Sequence, residues 1–242
     1  MATNNKNERD SKLSESVETT KREATVPIAV KAPNLQTVAV NIVGESPYVQ
    51  HKFSQKAKEQ IMATQAAGST AKSKKQREPK DFDKVCEAAT HYSRDGWIGI
   101  PAPAFRNAMI SACRTIGFKM VLAKLAVFIK ADGYDRDDGM PLVRIFGTSR
   151  RHDMAARNDN GSVDIRSRPM WERWGARVQI RYDADIFTPA DIVNLMLRVG
   201  AQVGIGEGRN DSKDSAGLGW GEFRLANEDE FHELFAESKE VA

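Results

Sequence analysis

Apolar and polar residues alternate with the two-residue period of a half-buried strand in four places. In TVAVNIV, Val38, Val40 and Ile42 oppose Thr37, Ala39 and Asn41. In KLAVFIK, from Lys124 to Lys130, Leu125, Val127 and Ile129 share one side. In ARVQIRYD, Val178, Ile180 and Tyr182 oppose Arg177, Gln179 and Arg181, and WGEFRL ends with Phe223 and Leu225 on one face. Two segments carry the helical period instead. After Pro101 and Pro103, the residues Phe105, Met109, Ala112 and Cys113 fall on one helical face, and Gly117 supplies a stop. Thr188-Pro189-Ala190-Asp191 has the cap, the first-turn proline and the capping-box acid of a helix start, and the helix is expected to run to Gly200.

Residues 131–170 break both periods. Asn160-Gly161 is a hairpin signal, and Arg136, Arg144, Arg150, Arg151, Arg157, Arg166 and Arg168 punctuate the stretch. It reads as an arginine-rich β-hairpin inserted into the main domain. With the insertion set aside, the order is βαββαβ, an α+β, ferredoxin-like (RRM-like) pattern with an inserted hairpin thumb and a long basic loop after the first strand. Both helices are expected on one face of the sheet. The other face would carry Lys124, Phe128, Lys130, Arg177, Gln179, Arg181 and Arg224. The expected organisation is a polar arm at 1–30, one domain over 31–226 with insertions at about 52–95 and 131–170, and an acidic tail at 227–242. Within the first insertion, residues 66–80 read as mobile.

The chain has 242 residues, 40% hydrophobic and 29% charged, with no apolar run of membrane-helix length and no apolar core of a signal peptide near its start. Cys86 and Cys113 stand in no metal spacing and read as reduced thiols, which points to the cytoplasm. Charge changes the picture more. The tail sets six acids against one lysine, a net −5, so of the overall +3 the rest of the chain carries +8. A basic body suits a polyanionic partner, although solubility alone would also account for it.

The stretch VGIGEGRNDSKDSAGLGWGEFRL, Val203 to Leu225, holds glycines at 204, 206, 208, 217, 219 and 221. It is neither a dinucleotide fingerprint, because a helix precedes it and a strand follows, nor a P-loop, because no Gly-Lys-Ser/Thr occurs. A glycine-permitted connection is one reading. The other is a loop whose backbone approaches a ligand and turns N–H groups toward phosphate. GIGEGR…GLGWGEF resembles the glycine-rich loop of the RAMP superfamily, the RRM-like proteins of class 1 CRISPR systems, where the loop lies between the second helix and the last strand. VNIVGESPYV is similar to the first strand and following glycine of the backbone subunits of those complexes. GWIGIPAPAFRNAMISACR is similar to their entry into the first helix, with Ile100, Pro101, Phe105, Arg106 and Ala108 in matching places. Ala102-Pro103-Ala104 departs from the Gly-Ser-Ser of that entry. The resemblance spans roughly residues 36–226.

It implies a non-enzymatic protein that binds single-stranded nucleic acid, RNA before DNA, and assembles head-to-tail along the strand as a homo-oligomer or within a multi-subunit ribonucleoprotein. Contacts are expected at Lys52, Lys56, Arg106, Arg150, Arg151, Arg166, Arg168, Gly204, Gly206, Gly208 and Arg209. Trp220 is expected to pack beside the loop. No cofactor, metal or membrane is expected. Relatives that process RNA often use a histidine, so an endoribonuclease built on His51 or His91 is the rival, and a protein that mimics a backbone subunit is a third reading. The acidic run Asp132, Asp135, Asp137 and Asp138 reads as a solvated turn.

Overall fold

The computed structural model describes residues 30–53, 58–59, 62–63, 80–157, 161, 163–211 and 217–236. The chain divides into the units Met1–Ala32 and Pro33–Ala242, and every element below belongs to the second. The expected arm, but for Val30, and the basic stretch 66–80, but for Lys80, lie outside the described residues.

In chain order the elements are β1 (Leu35–Gly44), β2 (Tyr48–Val49), α1 (Phe82–Ala88), β3 (Gly99–Pro101), α2 (Ala102–Ala112) and α3 (Met120–Ala126). There follow β4 (Val127–Lys130), β5 (Gly133–Tyr134), β6 (Pro141–Phe146), β7 (Ser149–Arg157), β8 (Val163–Trp171) and β9 (Gly175–Asp183). The last are α4 (Pro189–Arg198), β10 (Phe223–Ala226) and α5 (Glu228–Phe235). The chain is thus mixed α and β, and its sheets are antiparallel throughout the described residues.

The main sheet runs β10-β1-β9, and the far edge of β9 is shared. β4 pairs with its Gln179–Tyr182 half, and β6 pairs with Gly175 and Ala176. β6 in turn carries β3 and β5. Alternation decides the faces. Val40, Ile42, Ala176, Val178, Ile180 and Tyr182 are buried, while Thr37, Ala39, Arg177 and Arg181 are exposed. The buried side receives α2 and α4, whose Phe105, Met109, Ile192, Leu195 and Met196 join one core with the strands.

The helix termini follow the local chemistry. In α4, Thr188 Oγ1 accepts from the Asp191 N–H while the Asp191 carboxylate accepts from the Thr188 N–H. α2 continues into a 3₁₀ turn that ends at Gly117, where φ of +69° favours glycine. α4 runs into a π turn over Val199–Val203, which ends at Gly204.

Three expectations are revised. The Lys124–Lys130 stretch is not one strand: its first residues close α3, and only Val127–Lys130 is extended. Burial follows the helical spacing of Ala123 and Ala126 rather than the alternation, and Leu125 is 69% exposed. Residues 131–170 are more than a hairpin. β5 and β6 extend the main sheet, while β7 and β8 form a hairpin that makes a second sheet with β2. The base of that hairpin is core, with Met170 and Trp171 buried. The acidic tail, expected outside the domain, includes α5, whose Phe231 and Phe235 pack with Val43 and Phe146 on the side of the sheet opposite α2 and α4.

Candidate nucleic-acid interface

Tyr48-Val49-Gln50-His51-Lys52 leaves β1 and splits its side chains between core and cleft. Gln50 is 1% exposed: its amide donates to the Gly99 carbonyl at 2.7 Å, and its oxygen accepts from the His91 N–H at 2.7 Å. It therefore fixes the main chain that carries His91. Lys52 turns inward, with its ammonium 2.7 and 2.9 Å from the two oxygens of Asp135 and 2.6 Å from Asp137. Asp135 is fully buried and also accepts from His91 Nδ1 at 2.7 Å and from the Asp137 N–H at 2.8 Å. Burial alone would raise the Asp135 pKa, but these donors hold it down to about 2. The expected solvated acidic turn is thus folded around a buried carboxylate, because Lys52 supplies the opposite charge and His91 a hydrogen bond. Donor atoms of His91, Asp135 and Asp138 lie within 4.8 Å of one another. Lys52 and Lys58, the latter 3.1 Å from Asp138, already supply the positive charge there. Asp135 and Asp138 are thus both engaged in ion pairs.

Beside it opens a cleft of about 700 Å³. One wall is the α2 face of Ala104, Asn107, Ala108 and Ser111, and another is the start of the glycine-rich stretch, Ile205 to Arg209. His51, His91 and Arg166 complete it. Burial comes first in lowering the His51 pKa, helped by the positive charges of Arg168 and Arg166 and opposed by Glu207. Burial also lowers His91, against the pull of Asp135. Glu207 is engaged by Arg168 at 2.8 Å, and Asp211 by Arg114 at 2.6 Å. The cleft's two acids are therefore offset by arginines.

The glycines serve the loop's own packing first. A Cβ on Gly206 would lie 2.6 Å from both the Tyr48 ring and the Val49 carbonyl, and its φ is +85°. On Gly208 a Cβ would lie 2.6 Å from the Trp220 ring. On Gly221 it would lie 1.8 Å from the Ile205 carbonyl. Backbone thus packs on backbone and ring, and that is why the stretch needs glycine. Trp220 does sit beside the loop. Arg209 works as a clasp: Nε donates to the Asp211 carbonyl at 3.1 Å and Nη1 to the Gly206 carbonyl at 3.0 Å, while the side chain lines the cleft.

The expected contacts separate into groups. Gly206, Gly208, Arg209 and Arg166 line the cleft, and Gly204 adjoins it. Arg168 lies beneath, 8% exposed and committed to Glu207 and the Ser167 carbonyl. Lys52 is not a surface contact, being buried on Asp135. Arg106 lies on the far side of α2 from the cleft face, where Nε donates to the Val127 carbonyl at 2.9 Å and Nη2 to the Lys124 carbonyl. On the hairpin, Arg150 pairs with Glu172, and Arg151 pairs with Asp83 of α1. Lys56 lies outside the described residues. Sequence reasoning missed Gln50, Glu207 and Asn107, and took Asp135 for part of a solvated turn. Gln50 pairs with His91 41 residues away, Asp135 with Lys52 83 away and Glu207 with Arg168 39 away, so no local pattern marks them. The chain matches no protein-family model, and no curated protein shows significant similarity to it.

Proposed function

We propose that the protein binds single-stranded nucleic acid, RNA in particular, in the cleft between α2 and the glycine-rich loop. The observation that carries this reading is the convergence of Arg166, Arg209, His51 and His91 on one cleft whose acids are already offset by Arg168 and Arg114. Permanently charged guanidinium groups suit phosphate, and a cleft walled by backbone suits an extended strand. The strand order β10-β1-β9-β4, with α2 between β1 and β4 and α4 between β9 and β10, supports a ferredoxin-like reading. The loop's place between α4 and β10 supports the RAMP-like one. Under that reading, copies of the chain assemble head-to-tail on the strand, alone or with other subunits. The test is a fluorescence-anisotropy titration of labelled single-stranded RNA. Binding that Arg166→Glu weakens is expected; a wild-type protein that ignores RNA and single-stranded DNA would overturn the proposal.

A second reading has its own observation. His91 and His51 share the cleft, and His91 Nδ1 is oriented by Asp135, which turns Nε2 away from the carboxylate. A neutral imidazole so held can take the proton of an RNA 2′-hydroxyl as its oxygen attacks phosphorus, while a protonated partner gives one to the departing 5′-oxygen. A 2′,3′-cyclic phosphate and a 5′-hydroxyl result. Incubation of labelled RNA with excess chelator decides it: cyclic-phosphate products lost in His91→Gln support it, and intact RNA refutes it.

A further inference from the structure

The face of the main sheet opposite α2 and α4 lies apart from the cleft, and cations outnumber acids among its outward strand residues. Alternation places Arg177, Gln179 and Arg181 of β9 on this face, next to Phe128 and Lys130 of β4 and Arg224 of β10. Arg181 stands opposite Phe128 across the β4–β9 pair, and Lys130 stands opposite Gln179. The Phe128 ring is flanked by two guanidinium groups, Arg181 at 5.2 Å and Arg106 at 5.6 Å from its centroid. Among the described residues Lys130 and Arg181 form no ion pair, and Arg181 is exposed.

The other end of the face is covered. α5 is seated there by Phe231 and Phe235 against Val43 and Phe146. Its acids meet the basic face directly. Glu228 accepts from Arg177 at 3.2 Å and from Asn41 at 2.8 Å, and Glu230 accepts from Arg224. The carboxylates of α5 thus occupy positions that suit an anion; in the uncovered remainder the acids Asp132 and Asp183 accept from the backbone N–H groups of Arg144 and Asp185, while Lys130 and Arg181 pair with no acid among the described residues.

We propose that this face is a second contact for single-stranded nucleic acid, open at Lys130, Gln179 and Arg181 and capped at Arg177 and Arg224 by the acidic helix α5. The proposal rests on the binding reading above but uses different residues. Charge complementarity selects the occupant. Arg177 and Arg181 are four residues apart on β9, about 13 Å along the strand, and Lys130 stands opposite the Gln179 between them, a row of charge that suits a flexible phosphate backbone. The Phe128 ring opposite Arg181 offers an apolar surface beside the charges.

The test titrates a fluorescent single-stranded RNA against four full-length proteins: wild type, Lys130→Glu/Arg181→Glu, Glu228→Gln/Glu230→Gln and the cleft variant Arg166→Glu. Both double variants change outward side chains and leave Phe231 and Phe235 in place, and circular dichroism confirms their fold. The expected result is an affinity about tenfold lower for Lys130→Glu/Arg181→Glu and a few-fold higher for Glu228→Gln/Glu230→Gln, because two phosphate contacts are lost in one and the intramolecular competitor is weakened in the other. If Arg166→Glu loses affinity while both sheet-face variants bind as wild type, the inference fails and the cleft reading stands. If wild type does not bind RNA, both fail. If poly-glutamate displaces the RNA from wild type but not from Lys130→Glu/Arg181→Glu at matched ionic strength, the face serves an acidic protein and the inference is overturned.

Discussion

At the scale of single residues, the buried carboxylate of Asp135 organises the approach to the cleft. It joins Lys52, from the end of the first strand region, to His91 and to its own turn at Asp137. Removing one member of a buried ion pair leaves the other uncompensated, at a cost of about 3–5 kcal/mol. Asp135→Asn and Lys52→Met should each destabilise on that scale, and the double variant should cost far less than their sum; urea denaturation of the four proteins measures the coupling. An additive result would show that the pair does not act as a unit. The histidines give a pH dependence. Burial lowers both His51 and His91, so as pH falls below the ordinary histidine pKa of about 6.5 the unfolded chain takes up protons that the folded chain refuses. Stability contributed above that pH is therefore lost on acidification toward the folded values. Asp135 adds a separate loss at lower pH, from the ordinary carboxylate value down to about 2. Urea midpoints across the mildly acidic range should fall with pH, and His91→Gln should flatten the fall. A midpoint that rises on acidification would contradict the burial argument.

At the scale of elements, the glycine-rich loop is a packed unit before it is a ligand surface. Gly206→Val places a Cβ against Tyr48 and Val49 at positive φ, so it should cost about 2 kcal/mol or more in stability. Trp220→Ala should cost less than the about 3–5 kcal/mol of a fully buried tryptophan, because Trp220 is only half-buried. Arg209→Ala releases two carbonyls and should lower the denaturation midpoint while weakening RNA binding. Denaturation and anisotropy on all three separate the effects; unchanged stability in Gly206→Val would mean the loop is looser than its contacts imply. The same elements show what the chain makes legible. β1, β9, α2 and α4 could be read from their periods because each buries one face along its length, and the α4 capping box is local chemistry. β3 and β6 were not read, because three to six residues around glycine and proline carry too short a pattern. α3 was misread because Leu125, Val127 and Ile129 alternate across a helix–strand junction. Of the cleft, the glycine loop and the two histidines stood out by type. Their assembly did not, since Gln50 and Asp135 act through partners far away in sequence.

At the scale of the whole molecule, the distribution of charge matters more than the net +3. The acids of the C-terminal region do not merely dilute a basic body, because Glu228 and Glu230 of α5 pair with Arg177 and Arg224 on the sheet. Within the cleft, Glu207 and Asp211 are likewise engaged by Arg168 and Arg114. Pairing of this kind reduces the charge available to a strand of RNA, so the number of phosphates neutralised should be well below the number of arginines and lysines in the sequence. Salt dependence counts them. For single strands the logarithm of affinity falls against the logarithm of salt with a slope of about −0.7 per phosphate. About four contacts would give an affinity loss of about fiftyfold for a fourfold rise in salt. Arg166→Glu should make the slope shallower. A wild-type slope near zero would remove electrostatic recognition of the phosphate backbone, and with it the role assigned here to the arginines.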